Sequence, residues 1–305
     1  MLRQAWNDYR GWAKCARDLQ TATGRWNQAA LVLVAVAAIC GAATTWFPDS
    51  PDSPNAWSVR LALAATLASA VGAYFGREIL GSGKEGGWIQ ARATAEGIKS
   101  ECFRYAARAG AYAGADAMNV FEQRWSGIAK QAIDKGLVRP DDDVPASGDQ
   151  REPTVPLTTD WYKANRIGGE VDFYTKGRVR NQMMADLLWW VAFVAGLAAV
   201  VCGALGAWVS QYFAPWTGAM TTIAASIAAY GLLDRRKYLM TTYAAMQSSR
   251  ERILARDAES SVSLTDLVAS TEDLLESEHR PWLDQMLATK HTATAVATNT
   301  PERAG

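Results

Sequence analysis

Histidine is almost absent: the 305-residue chain has two, His279 and His291, both late in the sequence. A histidine-based triad or metal centre therefore has nothing to gather around. Cysteine is also scarce. Cys15, Cys40, Cys102 and Cys202 stand far apart, at no metal-binding or redox spacing, and read as reduced structural thiols. Net charge is missing too, with 31 Lys plus Arg against 31 Asp plus Glu. The overall field thus selects neither nucleic acid nor anionic lipid. The glycine-rich stretch from Gly81 to Gly87 lacks Walker spacing and places Glu85 where a Ser or Thr must follow the lysine, so it reads as a hinge. No paired carboxylates stand at a spacing that suggests acid–base work. The expectation is a chain that is not an enzyme and uses no cofactor and no metal.

Charge is missing locally as well, and this absence is informative. Residues 26–47 carry none, and at about 1.5 Å per residue they reach across a hydrocarbon core. Trp26 and Trp46 mark the ends, where indole rings prefer the interface. The turn PDSPDSPN follows, and a second span runs over about 57–76, with Arg60 able to snorkel outward. Residues 187–233 again lack any charge, too long a run for one span. Pro215 and Gly218 break it into spans of about 187–209 and 216–233. The fold class expected is all-α: a polytopic membrane protein with four transmembrane helices and long cytoplasmic helical extensions.

Lysine and arginine set the orientation. The turns after spans one and three contain neither, whereas the first 25 residues contain five, residues 77–180 sixteen, and residues from 235 onward nine. The positive-inside rule places both termini and the middle segment in the cytoplasm, with the protein multi-pass in the inner membrane. The N-terminal 25 residues, basic and without a compact apolar core, do not read as a secretory signal.

The second and fourth spans repeat each other without gaps: TLASAVGAY from Thr66 to Tyr74 and TIAASIAAY from Thr222 to Tyr230. The entries to spans one and three are alike at nearly the same offset, Arg25-Trp26-Asn27-Gln28 against Arg180-Asn181-Gln182. The reading is two tandem two-span units, 1–136 and 160–288, joined by a flexible linker over 137–159 rich in proline and acid, with a disordered tail over 289–305. Both hairpins run in the same sense, unlike the inverted repeats of many transporters.

Outside the spans, residues 88–135 read as one helix, with Arg92, Lys99, Arg104 and Arg108 as candidate contacts for a phosphorylated signal beside the plainer reading of a solvated face. Residues 159–186 and 234–258 continue spans three and four. Ser263 and Asp266 form a plausible capping box for a last helix, 264–288. Its apolar face, and that of 234–258, must pack on each other or on a second copy, so a homo-oligomer is expected. Within the spans, Ala64, Ala68 and Gly72, then Ala224 and Ala228, and Gly196, Gly203 and Gly206 form small-residue stripes that let helices approach closely. Thr66, Tyr74, Thr222, Ser226 and Tyr230 form mild polar stripes, candidates to line a pore.

One layout of residues resembles a known family. Trp6, Tyr9, Arg25, Trp26 and Asn27 lead into the first span; Trp88, Arg92, Glu96, Lys99 and Tyr105 follow the second. Trp161, Tyr162, Arg166, Tyr174, Asn181 and Gln182 lead into the third, and Glu276, Glu278 and Trp282 close the chain. The chain resembles the SLATT superfamily, two-span membrane effector domains of bacterial nucleotide-signalled conflict systems. The resemblance implies an antiviral defence effector, pore- or channel-forming, that depolarises the membrane and arrests growth (abortive infection). Its implied partners are the lipid bilayer, further copies of itself, and a nucleotidyltransferase or nucleotide-derived signal. A membrane scaffold or sensor that conducts nothing is the alternative.

Overall fold

Long proline-free runs of alanine, leucine and valine carry the chain into long helices. In the computed structural model, which describes residues 1–48, 55–81, 84–138, 151–233, 236–259 and 262–277, every regular element is helical. Helix α1, Leu2–Ala43, runs 42 residues without a break and closes in a 3₁₀ turn, Thr44–Trp46. There Thr44 and Thr45 return their hydroxyls to Gly41 O and Ala42 O at 2.7 and 2.8 Å. Helix α2, Ala56–Gly81, is capped by Asn55, whose Oδ1 accepts from Trp57 N at 2.9 Å.

The helix expected over 88–135 is two helices instead. Helix α3 spans Lys84–Ala106 and α4 spans Ala117–Asp134, with a 3₁₀ turn at Gly110–Tyr112 between them. Alanines conceal the break in the sequence, but Arg108 and Gly110 take left-handed backbone, at φ 55° and 59°, which no helix continues. The chain doubles back, and Gly97 of α3 faces Ile128 of α4 closely enough that a Cβ would touch it at 3.5 Å.

The linker expected over 137–159 is described at 137–138 and from Arg151 onward, where Pro153 and Leu157 are buried. Thr158 then caps α5, Thr159–Tyr162, accepting from Trp161 N. A π turn, Lys163–Ile167, joins α5 to α6, Gly168–Trp208. Ser210 Oγ accepts from Tyr212 N, a 3₁₀ turn occupies Gln211–Phe213, and α7, Ala214–Leu233, begins with Pro215 in its first turn, where a missing N–H costs nothing. Helix α8 is Arg236–Glu259, and residues 264–277 form α9. The expected cap of α9 is present: Ser263 Oγ accepts from Asp266 N at 3.2 Å. The expected tail, 289–305, lies outside the described residues.

Among the described residues, three helical stretches are long and apolar enough to cross a membrane: Leu2–Trp46, Ala56–Phe75 and Thr159–Trp208. Helix α7, the expected fourth span, forms over the expected residues but is not among the three.

The chain divides into two units that interleave along the sequence. Unit 1 draws on Met1–Thr21, Gly83–Phe173 and Met246–Gly305. Its interior is the ordinary one of a protein in water: Trp6, Trp12, Phe103, Tyr112, Phe121 and Tyr162 are buried together, with Leu267 and Val268 of α9. Unit 2 draws on Ala22–Ser82 and Tyr174–Ala245. Its buried residues are mostly small, Ala42, Ala68, Ala195, Ala199 and Ala219, beside Ile227, Tyr174 and Asn181, while Leu63, Leu67, Leu197 and Val200 face outward at 55–69% exposure. Such an arrangement would carry a large apolar surface in water.

Candidate functional site

Helix α3 sets Glu96 and Lys99 three residues apart on one face, so both project toward the same neighbours. The π turn brings Arg166 beside them, and the first turn of α6 adds Glu170. From α9 comes Glu272, and from α8 Arg250. Lys99 Nζ donates to Glu170 Oε1 at 2.7 Å and lies 3.5 Å from Glu96 Oε2. The Arg166 guanidinium is a fork: Nε and Nη2 donate to the two oxygens of Glu272, and Nη1 to Glu170 Oε1, each at 2.8 Å. Tyr162 donates its hydroxyl to Glu272 Oε1 at 2.9 Å. Arg250 donates Nη1 to Met246 O at 2.6 Å, and its charge bears on Glu170. Three cations face three carboxylates inside unit 1, flanked by Phe103, whose ring lies 5.1 Å from the Arg166 guanidinium carbon.

The side chains are nearly sealed, with Arg166 3% and Glu272 0% exposed. Burial alone would raise the Glu170 carboxyl, but Lys99 and Arg166 outweigh it and hold the group well below the usual carboxylate range. Burial and Arg166 push the Lys99 ammonium down; Glu170 and Glu96 more than compensate, leaving it above the ordinary lysine value. Burial raises the phenols of Tyr9 and Tyr162, so both stay protonated. Taking so many charges from water offsets most of what their pairing gains, so the network fixes geometry more than it adds stability.

A cavity of about 390 Å³ opens beside this network between α3, α4, α6 and α9. Glu96, Arg166, Glu170 and Glu272 form one side of it, and Thr94, Ser100, Gln131 and Lys135 contribute further polar groups. Its volume falls in the range of small-molecule sites. Any occupant would touch the same carboxylates that hold Arg166.

The four basic candidates for signal contact fare differently. Lys99 lies inside the network. Arg104 donates Nη2 to Asp273 Oδ1 at 2.8 Å and reaches Glu276 Oε2 at 3.3 Å. Arg92 stacks over the Phe173 ring at 5.0 Å, and Arg108 over Tyr105 at 5.4 Å. An anion binding at Lys99 or Arg104 would have to displace a carboxylate. The sequence reading missed Glu170 and Glu272. Both left a signal: Glu170 stands four residues from Arg166, and Glu272 interrupts the apolar stripe of Val268 and Leu275, where a carboxylate demands a buried partner.

In unit 2 the pore candidates are all helical. Thr66, Tyr74 and Thr222 are exposed; Ser226 and Tyr230 are half-buried. The hydroxyls of Thr66, Thr222 and Ser226 bond back to Ala62 O, Gly218 O and Thr222 O at 2.7–2.8 Å, which satisfies them without water. Gly72 meets Leu33 and Gly203 meets Thr217, each at 3.5 Å from a built Cβ. Gly206 is the tightest, with Ala214 N at 3.0 Å and Ala214 Cα at 3.2 Å. Because those are backbone atoms of the turn, Gly206→Val is expected to cost about 1–3 kcal/mol. Gly196→Val, with nothing within 4 Å, serves as the control. Thermal unfolding in detergent micelles reads the difference, and equal midpoints would rule out close packing at Gly206. The two turns of this unit meet, with Trp46 and Trp216 at 4.9 Å between ring centroids.

Residues 162–282 match the family described as SMODS and SLOG-associating 2TM effector domain 1. That segment thus matches the SLATT superfamily. The SLATT segment begins at Tyr162, takes in the π turn, α6, α7 and α8, and includes Glu272 of α9. Residues 10–119 match a second family, described as Protein of unknown function (DUF4231), which takes in most of α1, all of α2 and α3, and the start of α4. The buried network therefore joins the two matched segments, with Arg166, Glu170, Arg250 and Glu272 from the SLATT segment and Glu96 and Lys99 from the other. No match to the chain exists among curated proteins or among solved structures.

Proposed function

We propose that the chain is a membrane effector of a bacterial conflict system, built from two tandem two-span units with both termini in the cytoplasm, that acts on the membrane rather than by catalysis. The observation that carries the reading is the inverted packing of unit 2, alanines inside and leucine, valine and tryptophan outside, on a chain that matches a SLATT domain. Lipid is the solvent that makes such a surface stable. The Lys and Arg distribution supports the orientation, and the Trp46–Trp216 pair supports two hairpins entering in the same sense. Helix α7 completes the fourth span. Ala224→Arg tests it, since a central arginine costs about 2.5–3.5 kcal/mol in insertion. A glycosylation or protease map unchanged by that variant would count against α7 as a span.

The conducting path lies between copies, because Thr66, Tyr74 and Thr222 face outward from the single chain. A nucleotide-type signal or a partner protein acts through unit 1, where the cavity adjoins the charge network. Opening depolarises the inner membrane and halts growth. The self-bonded hydroxyls of Thr222 and Ser226 favour a second reading, a scaffold or sensor that conducts nothing. Purified protein in liposomes separates the two. The effector reading expects ion flux and, in cells, loss of membrane potential on induction. No flux, with potential and growth unaltered with or without a nucleotidyltransferase partner, would sink it.

A further inference from the structure

The helix that enters unit 2 from Thr159 holds one residue too many. Across Lys163–Ile167 it takes a π turn, with Gly168 N donating to Lys163 O five residues back. Asn165 Nδ2 donates to Trp161 O at 3.0 Å, the carbonyl that the Asn165 backbone amide would take in an α turn. Arg166 stands on this turn and is gripped from outside the helix by both oxygens of Glu272. Gly168 and Gly169 follow directly, and a Cβ on Gly168 would press Lys163 O at 3.3 Å. Beyond them α6 continues to Trp208 with no second interruption.

We propose that this π turn is a register switch, held in the wide form by the Arg166–Glu272 clamp and released by whatever occupies the adjoining cavity. The inference deepens the effector reading and rests on it for its purpose, but not for its geometry. Converting the turn to α geometry without removing a residue advances every later residue by one position, a rotation of about 100°. Arg166 lies in the turn and Glu170 beyond it, so the two cannot both keep their present partners. Either Lys99 loses Glu170 or Glu272 loses the two bonds from Arg166. An occupant that competes for Glu272 or Glu170 thereby favours the α form, and both carboxylates line the cavity.

The consequence along α6 is specific. In the present register Tyr174, Gly177 and Asn181 are the buried positions, while Phe173, Lys176 and Arg180 are exposed. After conversion, residue 173 takes the place of 174, 176 of 177, and 180 of 181. The test is a scan of single cysteines over 173–182 in the full-length chain, with the four native cysteines replaced by alanine, labelled by a membrane-impermeant maleimide in proteoliposomes. Glu272→Gln, which weakens the clamp, and Gly168→Ala, which crowds the wide turn and removes no charge, are each expected to move the protected positions from 174, 177 and 181 to 173, 176 and 180. If Glu272→Gln fails to fold, Gly168→Ala decides alone. A folded Gly168→Ala protein with the parental pattern overturns the switch. A shifted pattern without altered ion flux upholds the switch and removes the effector reading instead.

Discussion

Replacing Arg166 by leucine is expected to destabilise unit 1 by about 3–5 kcal/mol, the cost of leaving a buried charge without its partner. Glu272, fully buried, would keep only the Tyr162 hydroxyl among its present hydrogen bonds, and Glu170 would depend on Lys99. The double variant Arg166→Leu/Glu272→Leu should recover much of the loss, because an apolar pair of similar volume carries no desolvation debt. Thermal unfolding in detergent, followed by circular dichroism, gives both values. A double variant no more stable than the single one would show that the network's charges are not what the site needs. The pH dependence follows from the same groups. Glu170 titrates lower in the folded chain than in the unfolded one, so its contribution is present above the unfolded carboxylate value of about 4.3 and declines as pH falls below it. Lys99 titrates higher, so its contribution is complete below the unfolded value of about 10.4 and is lost as pH rises through the folded one. Between about pH 5 and 9 neither changes. The parent's stability should therefore not change through these two groups across that window.

Trp6→Ala should also cost about 3–5 kcal/mol, as the removal of a large buried aromatic does. Trp6 is 1% exposed, lies 4.6 Å from Tyr9 between ring centroids, and meets Phe103 edge-on at 5.8 Å. Trp6→Phe should cost much less, because the indole Nε1 is buried without a hydrogen-bond partner and nothing polar is lost with it. Equal losses for the two variants would place the value of Trp6 in a polar contact and overturn this account of the core.

The long apolar helices were legible because their signal is a long absence: no charge, and tryptophans where the absence ends. The break at Pro215 and the Ser263 cap were legible because each depends on a few neighbouring residues. The α3–α4 turn was hidden, since a left-handed backbone at Arg108 is not announced by an alanine-rich string. The π turn was hidden for a related reason: an extra residue shows in hydrogen-bond register, not in composition. The basic candidates show the limit most clearly. A row of Lys and Arg on α3 reads as an open face until α6 and α9 supply Glu170, Asp273 and Glu276, from 71 residues away and more.

Helix α1 has no such extra turn. Its 42 residues form one α-helix without an interruption, so the change of register proposed for α6 has no counterpart in α1, whose residues keep their places on the helix.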